Sequence, residues 1–517
     1  MHYQSRLPIL FALLSLALLL LFSGLVKGQC SCQSLPAASG NTIIITPQQG
    51  TSAINSAINS ATGPLTIYLT NGTYSVANGQ INILKPNITL RSLSGNRDSV
   101  IILGAGMLGG SGYHGISVLQ TNATIADLTV KNCDTHGIDI NFWYLVSLSQ
   151  TTDINNTLIH NVHVIDCGEQ LVKASYSGSV TQTCDNGIIE CSLIEYTTSL
   201  PGANSYTNGI DLHNANNWII RDNTIRNIKH GPSTTTDAGP TILFFKGGSG
   251  SIIERNLVVN CDEGIFAGNW ADSPNVSYRN AIIRNNMIRG HTNSRCGVGV
   301  VMAPECSVLN NTIYSPGGTA WTAEQYSIEV TGDSCTNLLL QNNLMDEDWL
   351  NNQNLAPTPT LITNISNCTS AHFVNTNLSN PNLHLVSASS AIDAGTTQVL
   401  ITGDFDCGSR TGMNDVGADE YLTLTNINDM TSNLELQLYP NPFQNEVNLS
   451  YNLADNSFVA LEIYDAFGRH LTLMEENQPK GQREYVLNLN DFTQTPGIYI
   501  LCLRTSGNIL RQTLIRQ

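Results

Sequence analysis

Short runs of alternating apolar and polar residues recur through the middle of the chain, each opened by a small residue. The copies are Gly115-Ile116-Ser117-Val118, Gly137-Ile138-Asp139-Ile140, Gly209-Ile210-Asp211-Leu212, Gly264-Ile265-Phe266-Ala267, Gly297-Val298-Gly299-Val300 and Ser327-Ile328-Glu329-Val330. Period-two alternation over four or five residues marks short strands. A second motif recurs with Asn223, Asn256, Asn286, Asn311 and Asn343 as its marker, at steps of 33, 30, 25 and 32 residues. Weaker copies carry Cys191, His160 and Ala126 in the marker slot. Each unit holds two or three strands and has no room for a long helix. Such a unit cannot bury its apolar face alone, so successive units stack and share one core. Strand on strand at the same slot gives parallel sheets with a rise of about 4.8 Å per rung. The marker asparagines then form a ladder between turns, and the expected role of these amides is structural.

The fold class expected is all-β: a solenoid followed by a small β-sandwich-like domain. Residues 53–61 form an amphipathic helix, followed by Leu65-Thr66-Ile67-Tyr68-Leu69 and Asn71-Gly72-Thr73-Tyr74. With the repeats, this resembles the right-handed parallel β-helix of the pectate-lyase-like superfamily, in which such a helix plugs the open N-terminal end. The expected organisation is a cap and first coils over 29–115, repeats over 116–350 and closing coils over 351–421.

Within Gly-Ile-x-apolar the apolar residues point into the coil and x points out. The outward slot reads Ser117, Asp139, a residue of the 169–173 coil, Asp211, then apolar residues, then Glu329. Either Leu171 or Val172 could point inward, which leaves the direction of Lys173 open. His213 shares the face of Asp211, and Tyr206 lies just before that strand. Phe245, Phe266 and Trp270 add an aromatic patch that suits stacking on sugar rings or packing under a loop.

Lyase or epimerase chemistry needs a base for the proton next to a uronate carboxylate and a cation to neutralise that carboxylate. Asp211, His213, Lys173 and Asp139 are the catalytic candidates; Tyr206, Phe245, Phe266, Trp270 and Glu329 are the substrate-binding ones. The segment from Tyr206 to Asp211 and His213 resembles the Tyr/Asp/His motif of alginate C5-epimerases, with two extra residues after Tyr206. Hydrolysis needs two carboxylates, and Asp139 and Asp211 are two rungs, or roughly 9.6 Å, apart. That is the upper limit for an inverting pair. Three readings stay open: a lyase or epimerase, a hydrolase, and a non-catalytic adhesin or structural surface protein.

Residues 383–420, with Ser390-Ala391-Ile392-Asp393-Ala394-Gly395 and Asp415-Val416-Gly417-Ala418-Asp419-Glu420, resemble the choice-of-anchor Q segment. Asp404, Asp406, Asp415 and Glu420 could bind Ca²⁺; the alternative is a final coil with Arg410 paired to an aspartate. Residues 422–433 read as a linker. The segment 434–517 carries Tyr439-Pro440-Asn441-Pro442-Phe443, alternation over 459–463 and 498–502, and turns at Phe467-Gly468 and Pro496-Gly497. It resembles the type A sorting domain of the type IX secretion system of Bacteroidetes. That resemblance implies export by that machinery, removal of the domain and attachment to surface lipopolysaccharide.

The N-terminus agrees with export. Arg6, an apolar run over 7–26 and Val26-Lys27-Gly28 read as a signal peptide, 1–28, cut before Gln29; a membrane anchor is the alternative. The net charge of −17 opposes binding to nucleic acid. Thirteen cysteines in an exported chain suit disulfides. Cys133/Cys167, Cys296/Cys306 and Cys184/Cys191 are candidate pairs, against buried thiols. No metal site is expected from the cysteines, because no two Cys-x-x-Cys pairs stand at zinc spacing.

Overall fold

A computed structural model describes residues 32–38, 40–107, 110–141, 153–175, 182–197, 207–230, 238–316, 326–351, 357–401, 403–410, 412–421, 436–453, 455–464, 470–489, 497–505 and 509–516. The signal segment, Tyr206, the 422–433 linker, Phe467-Gly468 and Pro496 lie outside the described residues. The chain divides into two compact units, one ending at Tyr421 and the other starting at Leu422.

The first unit is a right-handed parallel β-helix. Its strands form one sheet of twelve and two sheets of ten. A typical coil gives one strand to each sheet, as Ile210–His213, Ile219–Arg221 and Thr224–Arg226 do. Like stacks on like: Ile116, Ile138, Val172, Ile210, Ile242, Ile265, Val298 and Ile328 are successive partners along one sheet, and all are buried. The small residue that opens each strand is dictated by crowding. A Cβ on Gly264 would run into the carbonyl of Gly297, and one on Gly137 into Val164.

The helix Gly50–Ser60 buries Ile54 and Ile58 at the N-terminal end, where an open coil would otherwise expose its core. Tyr74 locks this cap, its hydroxyl donating to Ile45 O at 2.7 Å.

The ladder runs through Asn223, Asn256, Asn286, Asn311, Asn343 and Asn364, each Nδ2 donating to the next Oδ1 at 2.9–3.1 Å. Each Oδ1 also accepts the backbone N–H of the preceding rung's asparagine. Upstream the slot differs from the expectation. Register places Ser192, Val162 and Leu128 there, not Cys191, His160 and Ala126. Cys191 instead occupies the preceding turn position, where the backbone is left-handed in Asp127, Asn161, Cys191, Asp222, Asn285, Asn310 and Asn342. Asn and Asp tolerate that conformation best.

The cysteine pairs take a different form. Cys191 is bonded to Cys32, 159 residues away. Cys133, Cys167, Cys184, Cys296 and Cys306 are buried free thiols. Cys133 and Cys167 donate to Lys131 O and Ile165 O of their own coils, Cys184 to His213 O and Cys306 to Pro304 O. Cys296 packs with Leu243, Phe266, Val301 and Met302 outside the coil.

Of the closing segment, Thr360–Ile362 adds the last rung. The chain then leaves the stack. Phe373–Asn375 pairs antiparallel with Asn382–Leu385, and Leu383, Leu385, Phe405, Val416 and Ala418 pack with Met287, Tyr314 and Leu344 of the solenoid.

The second unit is antiparallel, with a three-stranded and a four-stranded sheet. Its own core includes Phe443, Val447, Leu449, Val459, Ile463, Leu501 and Leu503. Ser457–Tyr464 and Gly497–Thr505 contain the two alternating runs read from the sequence.

Candidate functional site

One column of outward side chains crosses eight rungs: Ser117, Asp139, Lys173, Asp211, Leu243, Phe266, Gly299 and Glu329. The open question at Lys173 is resolved by Val172 and Ala174, both of which point inward and are fully buried. Leu171 stands where Gly115, Gly137, Gly209, Gly264 and Gly297 stand in other coils.

The centre of the column is a buried ionic cluster. Lys173 Nζ donates to Asp211 Oδ2, and lies 2.8 Å from His213 Nε2. His213 Nε2 is also 3.2 Å from Asp211 Oδ1. The side chain of Asp211 is 1 % exposed, those of Lys173 and His213 12 % each. Burial pushes the Asp211 carboxyl up, but His213 and Lys173 outweigh it and hold the group below the usual carboxylate range. His213 is held below the ordinary imidazole value. Burial is the largest cause, the ammonium groups of Lys173 and Lys246 add to it, and Asp211 opposes it. His213 is therefore neutral at pH 7. Its Nδ1 is buried with no hydrogen-bond partner among the described residues. The ring meets Phe245 edge-on, with centroids 4.2 Å apart. Lys246 sits over Phe245 at 5.3 Å and pairs with Asp272 at 2.8 Å.

Asp139 lies two rungs from Asp211 with Lys173 between them. It accepts from Ser175 Oγ at 3.1 Å and faces His114 Nε2 at 3.3 Å. His114 stacks on His136, with centroids 5.0 Å apart. Burial, then the charges of His114 and Lys173, push His136 down to about 3. Sequence reasoning missed both histidines, which sit at the lip of the column just before the strands; their place directly before Gly115 and Gly137 was the available signal.

Further along the face, a pocket of about 390 Å³ gathers Phe266, Trp270 and Glu329 with Pro240, Glu263 and Arg295. Trp270 is 43 % exposed, whereas Phe266 is buried. Arg295 clamps Glu263 Oε1 and Glu329 Oε2, each at 2.5 Å, and lies over Phe266 at 5.4 Å. Arg295 and Glu263 were not read from the sequence. Arg295 bridges both carboxylates, so Glu329 is held in an ion pair and Trp270 offers the exposed ring. Phe245 belongs to the His213 cluster rather than to this pocket.

Of the four carboxylates considered for Ca²⁺, Asp404, Asp415 and Glu420 surround the buried Arg410 guanidinium, and Asp406 lies apart. Asp404 accepts backbone N–H groups from Asp406, Gly408 and Glu420. Asp415 accepts from Asp393 and Tyr421, and burial pushes it up to about 6. Glu420 pairs with Arg410 at 3.1 Å, so the partner of Arg410 is a glutamate, not an aspartate. Asp406 turns away to His384, 2.9 Å distant.

Residues 144–344 match the right-handed beta helix region. Residues 437–517 match the secretion system C-terminal sorting domain, which directs export through the type IX secretion system to the cell surface or beyond. No curated protein matches the chain. Among solved structures, the chain is similar to the tailspike protein of E. coli bacteriophage HK620 in complex with a pentasaccharide. Identity is 11 %, coverage 88 % of this chain and 65 % of that one, and the TM-score 0.38. A mutant of that tailspike with a hexasaccharide gives 12 %, 95 %, 93 % and 0.45. The DFA-IIIase of Arthrobacter chlorophenolicus A6 gives 10 %, 63 %, 97 % and 0.33. The chain thus spans just under two thirds of the first tailspike, and the likeness is one of fold alone.

Proposed function

We propose that the outward face of this exported β-helix binds a polysaccharide and exchanges a proton with a uronate residue at Lys173, Asp211 and His213, as a lyase or C5-epimerase. The observation that carries this reading is the contact of three titratable side chains from adjacent rungs in a buried setting. The proton beside a uronate carboxylate becomes removable when a cation neutralises the carboxylate and a neutral base stands at hydrogen-bond reach. Lys173 is the cation of the cluster. His213 is the neutral base through Nε2, which accepts from Lys173 Nζ and lies beside Asp211 Oδ1, while the buried Nδ1 carries the ring proton. Asp139 lines the column on the far side of Lys173. Trp270 and the pocket beside it hold neighbouring sugars by ring stacking.

Hydrolysis is the weaker reading. Asp139 and Asp211 stand roughly 9.6 Å apart along the axis, with an ammonium between them, and Arg295 engages both Glu263 and Glu329. Binding without turnover is the second reading, favoured by the exposed Trp270 and by the ion pairs that engage Lys173 and Arg295.

The test offers polyuronates, pectins and glycosaminoglycans to the purified protein. A lyase raises the ultraviolet absorbance of an unsaturated product; an epimerase changes sugar composition by NMR without that absorbance. His213→Ala and Lys173→Ala abolish either signal. Turnover unchanged in both variants rules out this cluster. Glycan-array binding with no product supports the binding reading.

A further inference from the structure

Three chain segments meet at the closing module outside the groove, and each brings one group able to ligate a metal. They are His384 in the strand Asn382–Leu385, Asp406 after the buried Phe405, and Asp419 near the end of the unit. Their ligand atoms all lie within 4.8 Å of one another. His384 Nε2 is 2.9 Å from Asp406 Oδ2, and the two side chains are 23 % and 6 % exposed. Asp419 is buried.

The surroundings of the imidazole fix which nitrogen faces the carboxylates. The backbone N–H of His384 donates to Asn382 Oδ1 at 3.1 Å. The oxygen of that amide is thereby identified, since a backbone N–H requires an acceptor. The same Oδ1 lies 2.5 Å from His384 Nδ1, so Nδ1 carries the ring proton. Nε2 is then the ring nitrogen that faces Asp406 and is placed to ligate. A hydrogen-bonded Nδ1–H behind a metal-facing Nε2 is the usual support of a histidine ligand. The carboxylates are supported too. Asp419 Oδ2 accepts Leu385 N–H at 2.8 Å, and Asp406 is anchored by its own N–H to Asp404 Oδ1 at 3.0 Å.

We propose that His384, Asp406 and Asp419 form a binding site for a divalent transition-metal ion of the zinc class, which clips the closing module together. An imidazole with two carboxylates suits such an ion better than Ca²⁺, which takes six to eight oxygens. Ligands about 2.1 Å from a tetrahedral ion stand roughly 3.4 Å apart, so a small closure of the trio completes the site. Water fills the fourth position. The ion joins segments distant in sequence and adds binding free energy to the stability of the folded unit.

The test uses the untagged full-length chain, freed of metal with EDTA. It is titrated with ZnCl₂, MnCl₂ and CaCl₂ by calorimetry, with metal content by mass spectrometry and thermal unfolding in parallel. The expected result is one Zn²⁺ per chain with micromolar or tighter affinity, a higher unfolding temperature and weaker Ca²⁺ binding. His384→Gln and Asp419→Asn each lose the ion. The amide oxygen introduced by Asp419→Asn can still accept the Leu385 N–H, and both variants unfold at the wild-type temperature in EDTA. The proposal is overturned if Zn²⁺ at millimolar concentration neither binds nor shifts unfolding, if both variants keep the ion, or if Ca²⁺ binds more tightly.

Discussion

Replacing Lys173 by Met keeps most of the side-chain volume and removes the ammonium that Asp211 faces. Asp211 is fully buried, so its charge cannot turn to water. Breaking one side of a buried ion pair costs about 3–5 kcal/mol. Removing both charges, in Lys173→Met with Asp211→Leu, returns part of that, because no buried charge is then left unpaired and only the His213 imidazole loses its partners. Stability is read from urea unfolding, with the buried Trp218 as reporter. The pH dependence gives an independent check. In the parent, the lowered Asp211 pKa contributes stability that is present above the unfolded value of about 3.9 and is lost as pH falls through the folded one. In Lys173→Met the carboxyl loses the lowering supplied by the ammonium and titrates higher than in the parent, so the folded variant takes up its proton first as pH falls and recovers part of the deficit. The deficit is therefore largest near pH 7 and shrinks toward pH 4. A cost under about 1 kcal/mol at pH 7, or a deficit that grows on acidification, refutes the buried pair.

Asn286→Leu strands Asn256 N and removes the side-chain donor of Ile253 O, while Asn256 Nδ2 keeps Ile220 O; at about 1–3 kcal/mol for each of the two groups it destabilises the solenoid by roughly 2–6 kcal/mol in urea unfolding. His136, pushed down to about 3, stays neutral in the folded state while the unfolded imidazole protonates near 6.5. Stability thus falls by about 1.4 kcal/mol per pH unit from 6.5 toward 3, and His136→Phe flattens that fall in unfolding curves taken at successive pH values. Trp270→Ala weakens glycan binding roughly tenfold, about 1.4 kcal/mol, without changing urea unfolding, since the ring is 43 % exposed. Deleting residues 437–517, the stretch matching the sorting domain, leaves the protein in the periplasm by fractionation and removes it from the cell surface.

The solenoid was legible because each rung repeats the same burial problem. Ile138 and Ile210 must enter one core, so Asp139 and Asp211 must leave it, and two letters of sequence suffice to say so. The same logic stalled at the intervening coil, where Leu171 replaces the glycine that marks the strand start. Without that mark the pattern fits two registers, and only the inward turn of Val172 and Ala174 sends Lys173 out. The ladder slot failed upstream for a related reason. Ser192 can offer an oxygen to Val162 N–H, but Val162 and Leu128 cannot offer one, so the amide signal fades while the coil persists. Groups supplied by turns were hidden further still. His114, His136 and Arg295 enter the face from segments whose lengths vary between coils, and Cys32 reaches Cys191 across 159 residues. Alternation therefore tells which face a side chain takes, whereas charge pairing depends on which rung lies beside it. Lys173 is 38 residues from Asp211 in sequence and its direct neighbour across one rung. That lateral order becomes readable once register is known, and it makes Lys173, left ambiguous by the sequence, the residue that pairs with Asp211 and touches His213.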